Sequence, residues 1–205
     1  MVPKNHVKAQ QSHFKFRTPE MKNTRRIVVI GTTGSGKTVF ARELSSALGI
    51  PHIELDEVFW SENWVEVPTE AFRASVTGLA AQDSWIMDGN YGVVRDVIWS
   101  RADTIVWLDY SFLETMKRLL IRTILRILCR TTICHGNQET FERAVSRDSI
   151  IWWGISTYSR RIKEYSQLWK IKELQDTMLR RFKEPKQAAD WLRQLQNNSG
   201  VSANS

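Results

Sequence analysis

Short apolar runs recur along the chain, and each ends in a residue able to do chemistry. Residues 27–30 run into Gly31, residues 51–55 into Asp56, residues 84–87 into Asp88, and residues 104–108 into Asp109. Runs of this length, bounded by polar residues and rich in Ile, Val and Trp, predict buried strands. Residues 177–182 predict a fifth. Between them apolar positions recur every three or four residues, which predicts helices. The first covers 39–48 and stops at Gly49. Another opens at Pro68 with Phe72, Val76 and Leu79 on one face. Others are expected over 93–99, 112–129, 139–168 and 185–195. Strand alternating with helix means an α/β fold with a parallel sheet, whose ligands gather at the carboxyl ends of the strands.

The remainder is polar. Residues 1–24 scatter Lys and His among prolines without a period, which predicts a disordered basic extension. Met21, directly before the first strand, is a candidate native start. Residues 131–138, with Gly136, read as a loop or lid, and residues 196–205 as a polar tail. One domain is expected over residues 25–196, with a lid or helical insert at about 126–168.

Composition narrows the class. The chain has 205 residues, 42% of them hydrophobic and 25% charged, enough for one substantial core. No apolar run approaches the roughly 20 residues that cross a bilayer, and the N-terminus lacks a signal-peptide centre. A cytoplasmic protein with no membrane partner is expected, its two cysteines, Cys129 and Cys134, free thiols. The net charge of +7 fits either a polyanion partner or arginines gathered around phosphorylated substrates. Oligomeric state stays open.

The first strand leads into Gly31-Thr32-Thr33-Gly34-Ser35-Gly36-Lys37-Thr38, then a helix. A glycine, four residues, then Gly-Lys-Thr in that context is the phosphate-binding loop pattern. Glycines let backbone amides turn inward around phosphate oxygens, and the helix start adds its positive end. Lys37 is placed for the β- and γ-phosphates and the Thr38 hydroxyl for Mg²⁺, which makes ATP with Mg²⁺ the expected ligand pair.

Asp88 and Asp109 compete for the water shell of the metal. Asp88 is preferred, because Gly89, Asn90, Tyr91 and Gly92 make a second close-approach loop beside it. Asp56 is the candidate to bind an acceptor hydroxyl, act as its base, or help hold Mg²⁺. Trp60 and Trp64 offer a flat platform for an acceptor, or lid packing. Arg118, Arg122, Arg126 and Arg130 share one helix stripe, a repulsive arrangement that a phosphate ligand would relieve. Arg143 and Arg147 repeat the spacing and could swing in with a lid, and Arg95 is a further substrate contact. His135 sits in no triad or metal cluster.

These residues resemble the P-loop kinase superfamily, and within it the nucleoside monophosphate kinases. Residues 101–109, then Arg118 and Arg122, are similar to the adenylate kinase core. The resemblance implies a three-layer P-loop NTPase fold with a five-stranded parallel sheet and a helical lid. It implies Arg118 against the adenine and Arg122 on phosphates, with residues 183–185 bordering the base. A closer resemblance, to bacterial DNA topology modulation proteins described as adenylate-kinase-like, rests on several stretches. These are Ile53-Glu54-Leu55-Asp56 with Trp60 and Trp64, residues 85–91, Arg101-Ala102-Asp103 and Gly136-Asn137-Gln138-Glu139. Adenylate kinases follow the third-strand Asp-Gly with Phe-Pro-Arg; here Asn90-Tyr91-Gly92 follows and the next arginine is Arg95. Shikimate and gluconate kinases share the fold and carry an Asp after the second strand for small hydroxylated acceptors, as Asp56 would be. The expectation is phosphoryl transfer from ATP to a small acceptor, with Lys37, Asp56, Arg122 and Arg126 at the chemistry. The alternative is an ATP-hydrolysing regulatory or DNA-associated protein; no nucleic-acid motif supports it.

Overall fold

The computed structural model describes residues 24–146, 149–170 and 177–201. The expected basic extension before Thr24, Met21 and Arg147 lie outside these residues.

Five parallel strands form the sheet, in the order β2-β3-β1-β4-β7. They are β1 (Arg26–Gly31), β2 (His52–Glu54), β3 (Trp85–Asp88), β4 (Thr104–Leu108) and β7 (Met178–Phe182). β1 is central and pairs with both β3 and β4, so Gly31 lies beside Leu108 and Val29 beside Asp88. Successive strand side chains point to opposite faces. Val28 and Ile30 therefore enter one core with Phe72, Trp85 and Trp107. Ile27 and Val29 enter the other with Phe40, Leu44 and Trp191. Both cores are closed over by the helices: Ile27, Val29, Trp85 and Trp107 are fully buried.

Helix α1 (Lys37–Leu48) and α8 (Pro185–Val201) cover the second face, stacking Phe40 on Trp191 with ring centroids 6.1 Å apart. Helices α3 (Thr69–Ala80), α4 (Arg95–Trp99) and α7 (Ile150–Leu168) contribute to the first. α1 stops where Gly49 turns left-handed (φ 67°) and its amide bonds back to Ser45. α5 (Phe112–Leu128), capped by Ser111 on the Glu114 amide, runs from the end of β4. Gly154 of α7 crosses it so closely that a Cβ there would meet Leu119 at 2.7 Å.

Four expectations need correction. Residues 131–138 are no open loop: β5 (Thr132–Ile133) and β6 (Asn137–Gln138) pair as a hairpin, turned by Cys134, His135 and Gly136, all at positive φ. The single helix expected over 139–168 is two, α6 (Phe141–Val145) and α7. The second strand ends at Glu54 rather than Leu55, and Asp56 follows it in the first turn of α2 (Leu55–Phe59). The last helix continues to Val201, so residues 196–201 are not tail.

Candidate active site

The phosphate loop is built on two left-handed glycines, Gly34 (φ 87°) and Gly36 (φ 85°). At Gly34 a Cβ would also come within 2.5 Å of the Thr115 carbonyl oxygen, so the loop is seated directly on α5. α1 begins at Lys37 without a side-chain cap, leaving its first amides free for an anion. The buried hydroxyls of Thr32 and Ser35 have no hydrogen-bond partner among the described residues. Lys37 Nζ donates to the Thr32 carbonyl (3.2 Å). Burial lowers its pKa, opposed by Asp88 and Asp56 and reinforced by Arg122 and Arg161. A cation held over a cradle of free amides and orphaned hydroxyls is an arrangement that a polyphosphate completes.

The ends of β2 and β3 supply the carboxylates. Register places Glu54 beside Asp88. Thr38 Oγ1 donates to Asp88 Oδ2 (2.8 Å), with Glu54 Oε1 3.4 Å away. His52 Nε2 lies 2.7 Å from the other Asp88 oxygen. Burial raises the pKa of Glu54, helped by Asp88, Asp56 and Glu57, while His52 opposes. Thr38 and Asp88 thus meet as expected. Asp109 does not join them: Arg181 donates to its Oδ2 from Nε (2.9 Å) and Nη2 (2.6 Å). Among the described residues no three His, Cys, Asp or Glu side chains form a metal-holding group. Hard oxygens at Thr38 and Asp88 fit Mg²⁺ only when phosphate oxygens and water complete its shell, its usual habit.

Asp56 faces a second loop. The Tyr91 hydroxyl donates to Asp56 Oδ1 (2.6 Å), and burial, more than the neighbouring Asp56, drives the phenol pKa far upward. Gly89 (φ 149°) brings this loop against Leu55, where a Cβ would come within 2.8 Å of the Leu55 Cβ. Asn90 ties it to the phosphate loop, Nδ2 donating to the Gly31 carbonyl (2.8 Å). The Tyr165 hydroxyl of α7 donates in turn to Asn90 Oδ1 (2.7 Å); its own pKa is pushed up to about 12 by burial. Arg95 bridges to Glu164 (2.7 Å), which Arg161 also reaches (3.3 Å). Leu55, Asn90, Tyr91, Arg95 and Tyr165 line one cleft.

The aromatic loop is tied to the hairpin. Trp60 packs edge-on against both Phe59 and Trp64. Asn137 of the hairpin accepts from the Trp64 amide (2.8 Å) and donates to the Ser61 (2.9 Å) and Cys134 (2.6 Å) carbonyls. The arginine stripe divides. Arg118 pairs with Glu114 (2.6 Å), stacks over Tyr110 and stands beside Gly36. Arg126 pairs with Glu139 (2.9 Å), at the base of the hairpin. Arg122 Nε is buried without a partner among the described residues, and burial, with Arg126, lowers its pKa.

Four further residues of the candidate site are not singled out by the sequence: Glu54, Asn137, Tyr165 and Arg161. Glu54 is hidden inside the run 51–55, which reads as strand through Leu55. Asn137 was quoted only within a motif. Tyr165 lies 75 residues from its partner Asn90 and Arg161 lies 124 residues (161 − 37) from Lys37, and only topology brings them together.

No family model and no curated protein matches the chain. Among solved structures the chain is similar to the shikimate kinase of Acinetobacter baumannii in complex with shikimate, at 12% identity and TM-score 0.52, over 90% of this chain and 98% of that one. It is also similar to the shikimate kinase of Bacteroides thetaiotaomicron, at 16% identity and TM-score 0.51, over 85% and 97%. Likeness at such identity concerns the fold: a parallel five-stranded sheet between helices, as in P-loop kinases.

Proposed function

We propose that this protein binds ATP with Mg²⁺ and transfers the γ-phosphoryl group to a hydroxyl of a small acceptor. The observation that carries the reading is the 2.8 Å contact of Thr38 with Asp88 beside the Lys37 loop. The Gly31–Thr38 backbone amides hold the phosphates, and Lys37 and Arg122 meet the charge spreading over the moving group. Arg118, beside Gly36, covers the nucleotide. Bound at Thr38 and Asp88, Mg²⁺ supplies charge neutralisation and alignment of the phosphates. Asp56 takes the acceptor proton as the acceptor oxygen bonds to phosphorus and the bridging oxygen leaves with ADP. Tyr91 fixes one carboxylate oxygen of Asp56 and leaves the other for the acceptor. Arg126, spent on Glu139, holds the hairpin, and reaches the phosphates only if that pair opens. Arg95, Asn90 and Trp60 border the acceptor.

The similar structure solved with shikimate supports a small hydroxylated acceptor over a nucleoside monophosphate. So does the absence, in residues 88–92, of an arginine to grip an acceptor phosphate. The motif resemblance to DNA topology modulation proteins suggests no acceptor. An ATP-consumption screen over hydroxylated metabolites and nucleoside monophosphates, with a no-acceptor control, tests the reading. Consumption that rises with one acceptor class and vanishes in Lys37→Ala supports it. Equal hydrolysis with and without every acceptor contradicts it and turns attention to a switch, examined by DNA binding across a salt series.

A further inference from the structure

Eleven of the fourteen exposed large hydrophobic side chains among the described residues sit on α5, α6 and α7. On α5 they are concentrated on one side. Thr115, Met116, Leu119 and Thr123 are buried toward the phosphate loop and α7. At 100° per residue, Leu113, Leu120, Ile121, Ile124, Leu125 and Leu128 form a stripe on the opposite face, between 43% and 74% exposed. Beside it, α7 crosses α5 at Gly154, so Trp153 and Ile155 flank the crossing at 50% and 43% exposure, with Trp152 at 55% next to them. The catalytic reading uses none of these residues.

Side chains of these sizes and exposures present on the order of 1,000 Å² of apolar surface. That exceeds the few hundred Å² bare on a typical monomer and the roughly 800 Å² per partner of a standard interface. The stripe repeats after seven residues, Leu113 with Leu120 and Ile121 with Leu128, the spacing at which one helix receives the side chains of another. A helix lying on lipid would instead carry cations along its apolar edge. Here the arginines along that edge are already engaged or covered: Arg118 pairs with Glu114, Arg126 with Glu139, and Arg122 Nε is buried, while Glu114 and Lys117 are the charges within the stripe.

We infer that this face docks a second copy of the same chain, α5 against α5 with the Trp152 and Trp153 turn of α7 at the flank. A two-fold interface is self-complementary, so one apolar stripe serves both copies. Lys117 weakens the contact, because a partner stripe without a free carboxylate leaves its ammonium to reach for water along an apolar stem.

Light scattering of the full chain at 1–100 µM tests this. Three results are expected together: a mass twice the chain's, association weakened at least tenfold toward monomer by Ile124→Glu with Leu128→Glu, and tighter association in Lys117→Leu. Circular dichroism reports whether each variant is folded, and Trp152→Arg serves as a second disrupting variant should the first unfold. A chain monomeric at 100 µM overturns the inference, as does a dimer unmoved by both disrupting variants. A monomer that dimerises only after removal of residues 1–23 assigns the face to that segment and also overturns it. So does a monomer that binds lipid vesicles through the face.

Discussion

Two aspartates end up in different chemistry because of what lies opposite each. Asp88 is held between a threonine hydroxyl and an imidazole at the loop, Asp56 by a phenol one cleft away. Asp56→Asn keeps the shape and the Tyr91 contact but removes the base. It is expected to lower acceptor-dependent turnover by about 10²-fold or more while ATP affinity changes less than about twofold, read by steady-state kinetics and calorimetry. Asp88→Asn should reverse that pattern, weakening Mg²⁺-dependent nucleotide binding. The thiols give an independent reading of the hairpin's position. Burial, then Asp56, Glu54 and Glu57, push Cys134 up to about 12, whereas Cys129 is exposed. A thiol with that pKa is only about 10⁻⁴ thiolate at pH 8, so iodoacetamide should label Cys129 far faster. Equal rates by mass spectrometry would place the hairpin away from the carboxylates. At this scale the loop and Asp88 were legible because their spacing is local. Glu54 and Tyr165 were not, since strand register and helix crossing put them in place.

Elements hold the site through a few contacts that can be broken singly. In Gly34→Ala, the added Cβ would strike the Thr115 carbonyl from a left-handed backbone. A loss of about 1–3 kcal/mol in unfolding free energy by denaturant titration, with impaired nucleotide binding, is expected. Asn137→Ala removes two hydrogen bonds joining the hairpin to the aromatic loop and one within the hairpin turn. The acceptor KM should rise more than the ATP KM, with faster amide exchange at Trp64. Asp103 staples the start of β1 to the start of β4, accepting from the Arg25 and Arg26 amides and the Arg26 guanidinium. Burial alone would raise its pKa, but these donors prevail and lower it. Its contribution is therefore present above the unfolded carboxylate pKa of about 4 and is lost as pH falls through the lower folded value. Asp103→Asn should destabilise by about 1–2 kcal/mol at pH 7, with the difference fading below about pH 3 in urea titrations. The alternation of strand and helix was readable from apolar runs alone. The hairpin was not, because two-residue strands leave no period and its turn uses Cys134 and His135 at positive φ, where Gly or Asn would have signalled it.

For the whole molecule, β1 at the centre of the sheet sets everything else. It carries Gly31 to the carboxyl edge, between Asp88 on β3 and the start of α5 after β4. The three-layer order was legible because five strands without hairpin turns can only be crossed over by helices. The cleft beside Asn90 and Tyr91 is lined from α7 by Tyr165, a late part of the chain that only the tertiary fold brings there. The central claim is that loop, Asp88 and Asp56 form one phosphoryl-transfer site. Phosphorus NMR of ATP with Mg²⁺ and the acceptor class found by screening tests it most directly. A new phosphate-ester resonance should grow as ADP forms, in equal amounts, and be absent from folded Lys37→Ala and Asp56→Asn. Inorganic phosphate as the sole product in the unaltered protein, or an undiminished ester signal in Asp56→Asn, would contradict it.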